Sequence, residues 1–386
     1  MASEPEGAEV IPITRARSSH APVRREPGDA HPGRTHPAGS PRSGGVYGGH
    51  EAGGGGHRDG DGGHEAGHDA LGVGAVPGGD DDPGIDADAD AEAAKAEDAA
   101  EAEADEADRR LAELLAFLRR RINGEYEVDE FGFDPELTDK VLLELIRPLY
   151  RHWFRVETVG MGNVPDDSGA LVVANHSGTI PLDGLMLQVA LHDDHPGHRA
   201  LRLLGADLVY RLPVLGHLSR KSGHTLACRE DADRLLRKGE IVGVFPEGFK
   251  GVGKPFSERY RLQRFGRGGF VASAIRAGVP IVPCAIVGAE EIYPKVGDLR
   301  FLARALGLPY LPVTPLFPWL GPLGLVPLPS KWMIGFGEPI RTDEFDPADA
   351  DDPMLVFNLT DQVREVIQHQ LEELRLRRGH AFPPFF

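Results

Sequence analysis

Five short apolar runs, at 170–174, 201–205, 241–245, 281–287 and 332–336, alternate with stretches of helical spacing at 182–192, 230–238, 267–277 and 354–376. This alternation constrains the fold more than any other feature of the chain. Apolar runs this short, without polar alternation, fit strands buried on both faces, and such strands need helices to cover them. The expectation is an α/β fold, a mixed and mostly parallel sheet with helices on both faces. No internal repeat is visible.

The N-terminal part has a different composition. Residues 1–108 hold 24 acidic and eight basic residues and almost no large apolar side chains. Such a segment cannot bury enough surface to offset its ordering entropy, so 1–104 is expected to be a disordered, acidic, Gly/His/Asp-rich tail. The whole chain carries a formal charge of −18, and the tail accounts for most of it. The rest is close to neutral and can meet an anionic membrane through local Lys/Arg clusters. The His-bearing run between Gly48 and Asp69 reads as solvated low complexity or as weak, non-specific divalent-metal binding. No specific metal site is expected.

Two amphipathic segments fill 105–158. Over 107–122, Leu111, Leu114, Leu115, Leu118 and Ile122 share one helical face, with Arg119, Arg120 and Arg121 near the end where the helix dipole favours cations. That face fits packing on the domain or contact with lipid. Over 136–156, Leu137, Val141 and Leu145 fall at helical steps until Pro148 interrupts them. Tyr150, His152, Trp153 and Phe154 then fit either a core or a membrane interface.

Cys228 and Cys284 are the only cysteines, too few for a disulfide framework or a zinc quartet. They suit a reducing cytoplasm. The first residues contain no apolar leader core, and no run of about 18 apolar residues exists to cross a bilayer. Residues 306–330 are very apolar but carry seven prolines. They forbid a regular helix and read either as a wrap over the domain's own core or as an exposed patch that meets a bilayer or acyl chain.

Two strand ends carry the chemistry. Ala170-Leu-Val-Val-Ala-Asn175-His176 is followed by Asp183, and Ile241-Val-Gly-Val-Phe245 runs into Pro246-Glu247-Gly248. Open α/β sheets hold their ligand crevice at such strand ends. An imidazole there can act as a general base near neutral pH, and a carboxylate within reach can hold its tautomer. Ser177 and Thr179 read as turn hydroxyls. Arg229 suits an anion through its bidentate fork, or else pairs with Glu230 or Asp231. Lys250, Lys254, Arg259, Arg261, Arg264 and Arg267 form a basic stretch after the Glu-Gly turn, suited to phosphates or to solvent.

Several classes are disfavoured. Gly248-Phe-Lys-Gly-Val-Gly253-Lys254 follows a strand like a P-loop, but Pro255 stands where a magnesium-binding hydroxyl is needed. There is no Gly-x-Ser-x-Gly nucleophile elbow and no dinucleotide fingerprint. No nucleic-acid partner is expected.

Four blocks in order over roughly 160–340 resemble the glycerolipid (lysophospholipid) acyltransferase family: His176 with Asp183, Gly223-His-Thr-Leu-Ala-Cys-Arg229, Phe245-Pro246-Glu247-Gly248, and Val279-Pro-Ile-Val-Pro-Cys-Ala-Ile-Val287. One departure is that six residues separate His176 from Asp183, where the family usually has four, and position 181 is Pro. That spacing is closer to the monoacylglycerol/diacylglycerol acyltransferase-like branch. The resemblance implies the acyltransferase fold over 159–386. It implies acyl transfer from acyl-CoA or acyl carrier protein, as co-substrate and with no resident cofactor, to a glycerolipid hydroxyl. His176 and Asp183 would be catalytic. Asn175, Gly223, Arg229, Phe245, Pro246, Glu247, Gly248, Lys250 and Lys254 would bind substrate, with Glu247 contacting a hydroxyl or orienting a cation. A lysophospholipid such as 1-acylglycerol 3-phosphate is the simplest acceptor, and a neutral glycerolipid or a non-catalytic lipid binder on the same fold are the alternatives. The enzyme would sit peripherally on the cytoplasmic face of a membrane.

Overall fold

The structure, a computed structural model, describes residues 84–383 apart from 267 and 306. The expectations for the His-bearing run and for most of the acidic tail lie outside the described residues. So does Arg267.

Among the described residues nine strands form in chain order: β1 Glu157–Val159, β2 Ala170–Ala174, β3 Leu201–Gly205, β4 Thr225–Leu226, β5 Ile241–Val244, β6 Ile281–Val287, β7 Gly297–Asp298, β8 Pro312–Val313 and β9 Met333–Phe336. Seven make one sheet in the order β1-β9-β6-β2-β5-β3-β4, and β7 pairs with β8 apart from it. The run from β6 to β4 is parallel. β9 lies antiparallel to β6 and carries β1 parallel to itself, so the sheet is mixed and mostly parallel.

The apolar runs become central strands because both faces are covered. Leu171 and Val173 point into one buried cluster with residues of helices Arg229–Arg237, Gly269–Ala277 and Pro353–Arg378. Ala170, Val172 and Ala174 point into the other, which holds Met186, Leu187, Tyr150, Phe154 and Trp332. Phe154 stacks on Trp332 with ring centroids 4.7 Å apart. Each fully buried large side chain of this kind stabilises by roughly 1.5–3 kcal/mol relative to exposure.

β2 and β5 are neighbours, and their connections leave in opposite directions. β2 leads past β5 to β3, and β5 leads past β2 to β6. Such a switch point opens a crevice at the carboxyl ends of the two strands. His176 and Phe245-Pro246-Glu247 follow those ends directly.

Two expectations need correction. The first helix runs Gly84–Asn123, so 84–104 is helical where an unfolded tail was expected. Alanine and glutamate, both strong helix formers, dominate that stretch. Pro148 does not end its segment either: helical backbone continues through 135–153, with widened turns at Thr138–Leu143 and Leu149–Trp153. After the proline, the Phe154 N–H bonds the Leu149 carbonyl five residues back, at 2.8 Å, the spacing of a widened turn.

The stripe on the first helix faces outward. Leu111, Leu114, Leu115, Leu118 and Ile122 are exposed, while Phe117 on another face is buried. Arg121 lies over the Phe117 and Tyr126 rings and bonds Asp134. Of the aromatic run, Tyr150 and Phe154 join the core and His152 and Trp153 are exposed. Among the described residues no helix is long and apolar enough to cross a membrane.

Candidate active site

His176 leaves β2 on a turn pressed against the end of β6. A Cβ on Gly178 would stand 2.8 Å from the Ala289 carbonyl oxygen, so only glycine fits this approach, and its φ is +91°. The turn delivers Asp183 as the first residue of helix Asp183–Val189. His176 Nδ1 lies 2.8 Å from Asp183 Oδ2. The same oxygen accepts the Ser177 N–H at 2.8 Å, and Oδ1 accepts the Gly184 N–H at 2.9 Å. Asp183 is fully buried. An ionised carboxylate only accepts, so Nδ1 must carry the proton of the neutral ring and Nε2 is left as the free base. The longer spacing between His176 and Asp183 therefore leaves the dyad intact.

Phe245 stacks on the His176 ring, with centroids 4.5 Å apart and planes 25° apart. The register explains the meeting. Val173 pairs with Val244, so the chains run on side by side to His176 and Glu247. The stack fixes the ring plane and removes water from one face of the base.

Glu247 is buried with its carboxylate turned inward, not toward a ligand. Oε1 accepts the His176 backbone N–H at 2.9 Å, and Oε2 accepts the Gln263 N–H at 2.6 Å. Lys254 lies 3.7 Å from it and 2.8 Å from Glu290. Of its expected roles, hydroxyl contact is replaced by backbone clamping, while the neighbouring cation is a residue of the protein itself. Lys254, also buried, is engaged by that ion pair and by the Arg261 carbonyl at 3.2 Å. Burial pushes the Glu290 carboxyl up to about 7, against the downward pull of Lys254 and the Tyr260 N–H. The folded value lies above the unfolded one, so the unfolded chain loses this proton first. Stability carried by Glu290 should therefore fall as pH rises from about 4.5 to about 7 and then level off. Urea unfolding across that range should show a decline in wild type relative to Glu290→Gln; parallel curves would mean that Glu290 titrates normally.

Two other expected ligands are also structural. Asn175 is fully buried and exchanges both amide bonds with the Ile286 backbone, at 3.0 and 2.7 Å, which pins β2 to β6. Gly223 makes room for Phe133 and Arg202, and its carbonyl accepts from Arg202 Nε. Both positions were expected to bind substrate; here the Asn175 amide and the Gly223 carbonyl are each engaged by protein partners.

The remaining residues stay accessible. Gly248 has φ 54° and ψ −142°, a glycine conformation, and no protein atom lies within 4 Å of where a Cβ would stand. The Pro246 carbonyl accepts the Gly266 N–H at 3.2 Å. Lys250, Arg259, Arg261 and Arg264 are exposed. Arg229 begins helix Arg229–Arg237, is exposed, and forms no ion pair among the described residues. It follows β4, three strands along from β2, or about 14 Å at the usual strand spacing. The sheet thus brings His176, Asp183, Phe245 and Glu247 together and leaves Arg229 farther along the same edge.

Sequence reasoning missed three contributors. The Thr179 hydroxyl donates to the Tyr293 carbonyl at 3.1 Å, and the Tyr310 hydroxyl donates to the Thr179 carbonyl. Gly251 lets the glycine-rich loop press on the His176 turn, since a Cβ there would stand 2.6 Å from the His176 carbonyl oxygen. The glycines of the false P-loop were the available signal for Gly251. Nothing local marked the two tyrosines. Ser177 Oγ is buried without a hydrogen-bond partner among the described residues.

Comparison with known proteins adds four likenesses. A family profile described as "Acyltransferase" matches residues 155–287. An uncharacterized protein of Mycobacterium tuberculosis is 60% identical over 276 residues, covering 70% of this chain and 77% of that protein. A human protein named "DGAT1/2-independent enzyme synthesizing storage lipids" is 25% identical over 223 residues, 57% of this chain and 62% of its own length. Among solved structures, the 1-acyl-sn-glycerophosphate (LPA) acyltransferase of Thermotoga maritima is 21% identical with a TM-score of 0.40, covering 62% of this chain and 81% of that one.

Proposed function

This chain belongs to the glycerolipid acyltransferase family, and we propose that it moves a fatty acyl group from acyl-CoA or acyl carrier protein to the hydroxyl of a lysophospholipid, most simply 1-acylglycerol 3-phosphate. The observation that carries the reading is the buried Asp183 bonded to His176 Nδ1, which leaves Nε2 as a base at the crevice between β2 and β5. The acceptor hydroxyl gives its proton to Nε2 as its oxygen attacks the thioester carbonyl. Asp183 stabilises the imidazolium so formed. Collapse of the tetrahedral intermediate breaks the carbon–sulfur bond, and the imidazolium returns the proton to the departing thiolate. No protein nucleophile and no resident cofactor is needed.

Arg229 favours a phosphorylated acceptor, as an exposed guanidinium on the same sheet edge as His176 with no ion-pair partner among the described residues. Arg229→Ala should raise KM for a phosphorylated acceptor about tenfold, the worth of a charge-assisted pair, and leave a neutral acceptor nearly unaffected. Equal effects on both would remove the phosphate role. The second reading is a neutral glycerolipid acceptor. It is motivated by Pro181 two residues before Asp183 and by the likeness to the human storage-lipid enzyme. We place the protein peripherally on the cytoplasmic face of a membrane. The outward stripe of Leu111, Leu114, Leu115, Leu118 and Ile122, with Arg119 and Arg120 beside it, suits an interfacial helix.

The test is transfer of radiolabel from acyl-CoA and from acyl carrier protein to a panel of acceptors, wild type beside His176→Ala. Label in phosphatidate with wild type alone supports the first reading. Label only in neutral lipid supports the second. No product from either donor leaves a lipid binder without turnover.

A further inference from the structure

The 39 residues from Leu299 to Gly337 contain no Asp or Glu, in a chain where 60 of 386 residues are acidic. Their only formal charges are Arg300, Arg304 and Lys331. Within this segment lies a compact wedge. The Thr314 hydroxyl accepts the Phe317 N–H at 2.9 Å, and the Leu320 N–H bonds the Leu316 carbonyl at 2.8 Å. A Cβ on Gly324 would stand 2.8 Å from the Leu316 carbonyl oxygen, so the two arms of the wedge touch. Its outer surface is apolar. Trp319 is 75% exposed and Leu323 69%, with Leu320, Leu325 and Val326 beside them. Phe301 and Leu302 on helix Arg300–Ala305 are exposed as well.

The wedge is tied to the catalytic turn from both sides. The Tyr293 hydroxyl donates to the Leu325 carbonyl at 2.5 Å, and the Tyr293 carbonyl accepts from the Thr179 hydroxyl. The Tyr310 hydroxyl donates to the Thr179 carbonyl, three residues from His176. At its base, Trp153 Nε1 bonds the Pro327 carbonyl at 3.0 Å and Arg155 bonds the Pro329 carbonyl at 2.9 Å. Whatever holds the wedge therefore holds the active-site mouth.

The geometry points to a lipid bilayer as the occupant of this surface: residues 316–326 insert as a preformed wedge into the interfacial layer of an anionic membrane and set the His176 crevice at the lipid–water boundary. An ordered wedge loses little conformational entropy on insertion. Tryptophan with exposed leucines suits the interfacial layer, and the exposed Arg300 and Arg304 match the negative surface potential of anionic lipid, while Lys331 is paired with Glu157 at 2.6 Å. The inference deepens the peripheral placement proposed above and adds a second contact, formed from the catalytic domain itself rather than from the first helix.

The full chain is titrated with phosphatidylglycerol/phosphatidylcholine vesicles carrying brominated acyl chains, and tryptophan emission is read. Expected are quenching in wild type, loss of most of that quenching in Trp319→Phe, and at least tenfold weaker vesicle binding in Leu323→Asp at an unchanged melting temperature. Trp319→Phe quenched like wild type, together with Leu323→Asp binding like wild type, overturns the inference. It is equally overturned if Leu323→Asp changes only the oligomeric state, because the patch then covers a second copy of the chain. Vesicle binding is read without turnover, so its failure and that of the proposed reaction are separate results.

Discussion

His176→Ala is expected to lower kcat for acyl transfer by about 10³-fold, within the range attributed to a positioned general base, while KM for either substrate changes little. The site prepares the free nitrogen of this ring: Asp183 accepts the Nδ1–H hydrogen bond and Phe245 covers one face. The side chain adds little to the core, so the melting temperature should stay close to that of wild type. Asp183→Asn should be comparably inactive for a different reason. An amide nitrogen in place of Oδ2 would face both Nδ1–H and the Ser177 N–H, so the ring loses the tautomer that frees Nε2. Initial rates at saturating acceptor, with thermal melts alongside, check both. A loss below tenfold in His176→Ala with the fold intact would place the base elsewhere.

The sequence revealed the residues that meet at this site more clearly than what each one does there. The strands were legible because they are buried on both faces and so read as unbroken apolar runs; β2, β3 and β6 match their expected ranges residue for residue. The strand ends were legible because chain polarity puts His176 and Glu247 on one edge of a parallel sheet. The inward commitments of Asn175, Glu247 and Lys254 were not legible. A carboxylate beside a catalytic turn looks the same in sequence whether it binds a hydroxyl or two backbone N–H groups. Only the Val173–Val244 register and the return of the chain at Gln263 decide the matter. The short strands β1 and β4 were invisible because pairing partners, not their own residues, define them. The exposed stripe of the first helix shows the same limit from the other side: periodicity predicts an apolar face but not what covers it.

Glu247→Ala should have the second large effect, and its form distinguishes a clamp from a ligand. The carboxylate holds the His176 and Gln263 N–H groups and stands beside Lys254, all away from solvent. Removing it leaves two donors without an acceptor and a buried cation with only Glu290 to balance it. Breaking a buried charge network by one partner costs roughly 3–5 kcal/mol, or about 10 °C in melting temperature for a domain of this size. Below that temperature kcat should fall at least tenfold, because the His176 backbone is no longer fixed against β5, while KM for the acceptor changes less. Glu247→Gln tests the same point at constant shape. One amide oxygen can serve one N–H, but its NH₂ must then face the other, so most of the stability loss should remain. A substrate-contacting Glu247 would give the opposite split: a large rise in acceptor KM, a small change in kcat and an unchanged melting temperature. Denaturant unfolding beside steady-state kinetics on the two variants separates these outcomes, since the clamp lowers both stability and kcat and a ligand would lower neither.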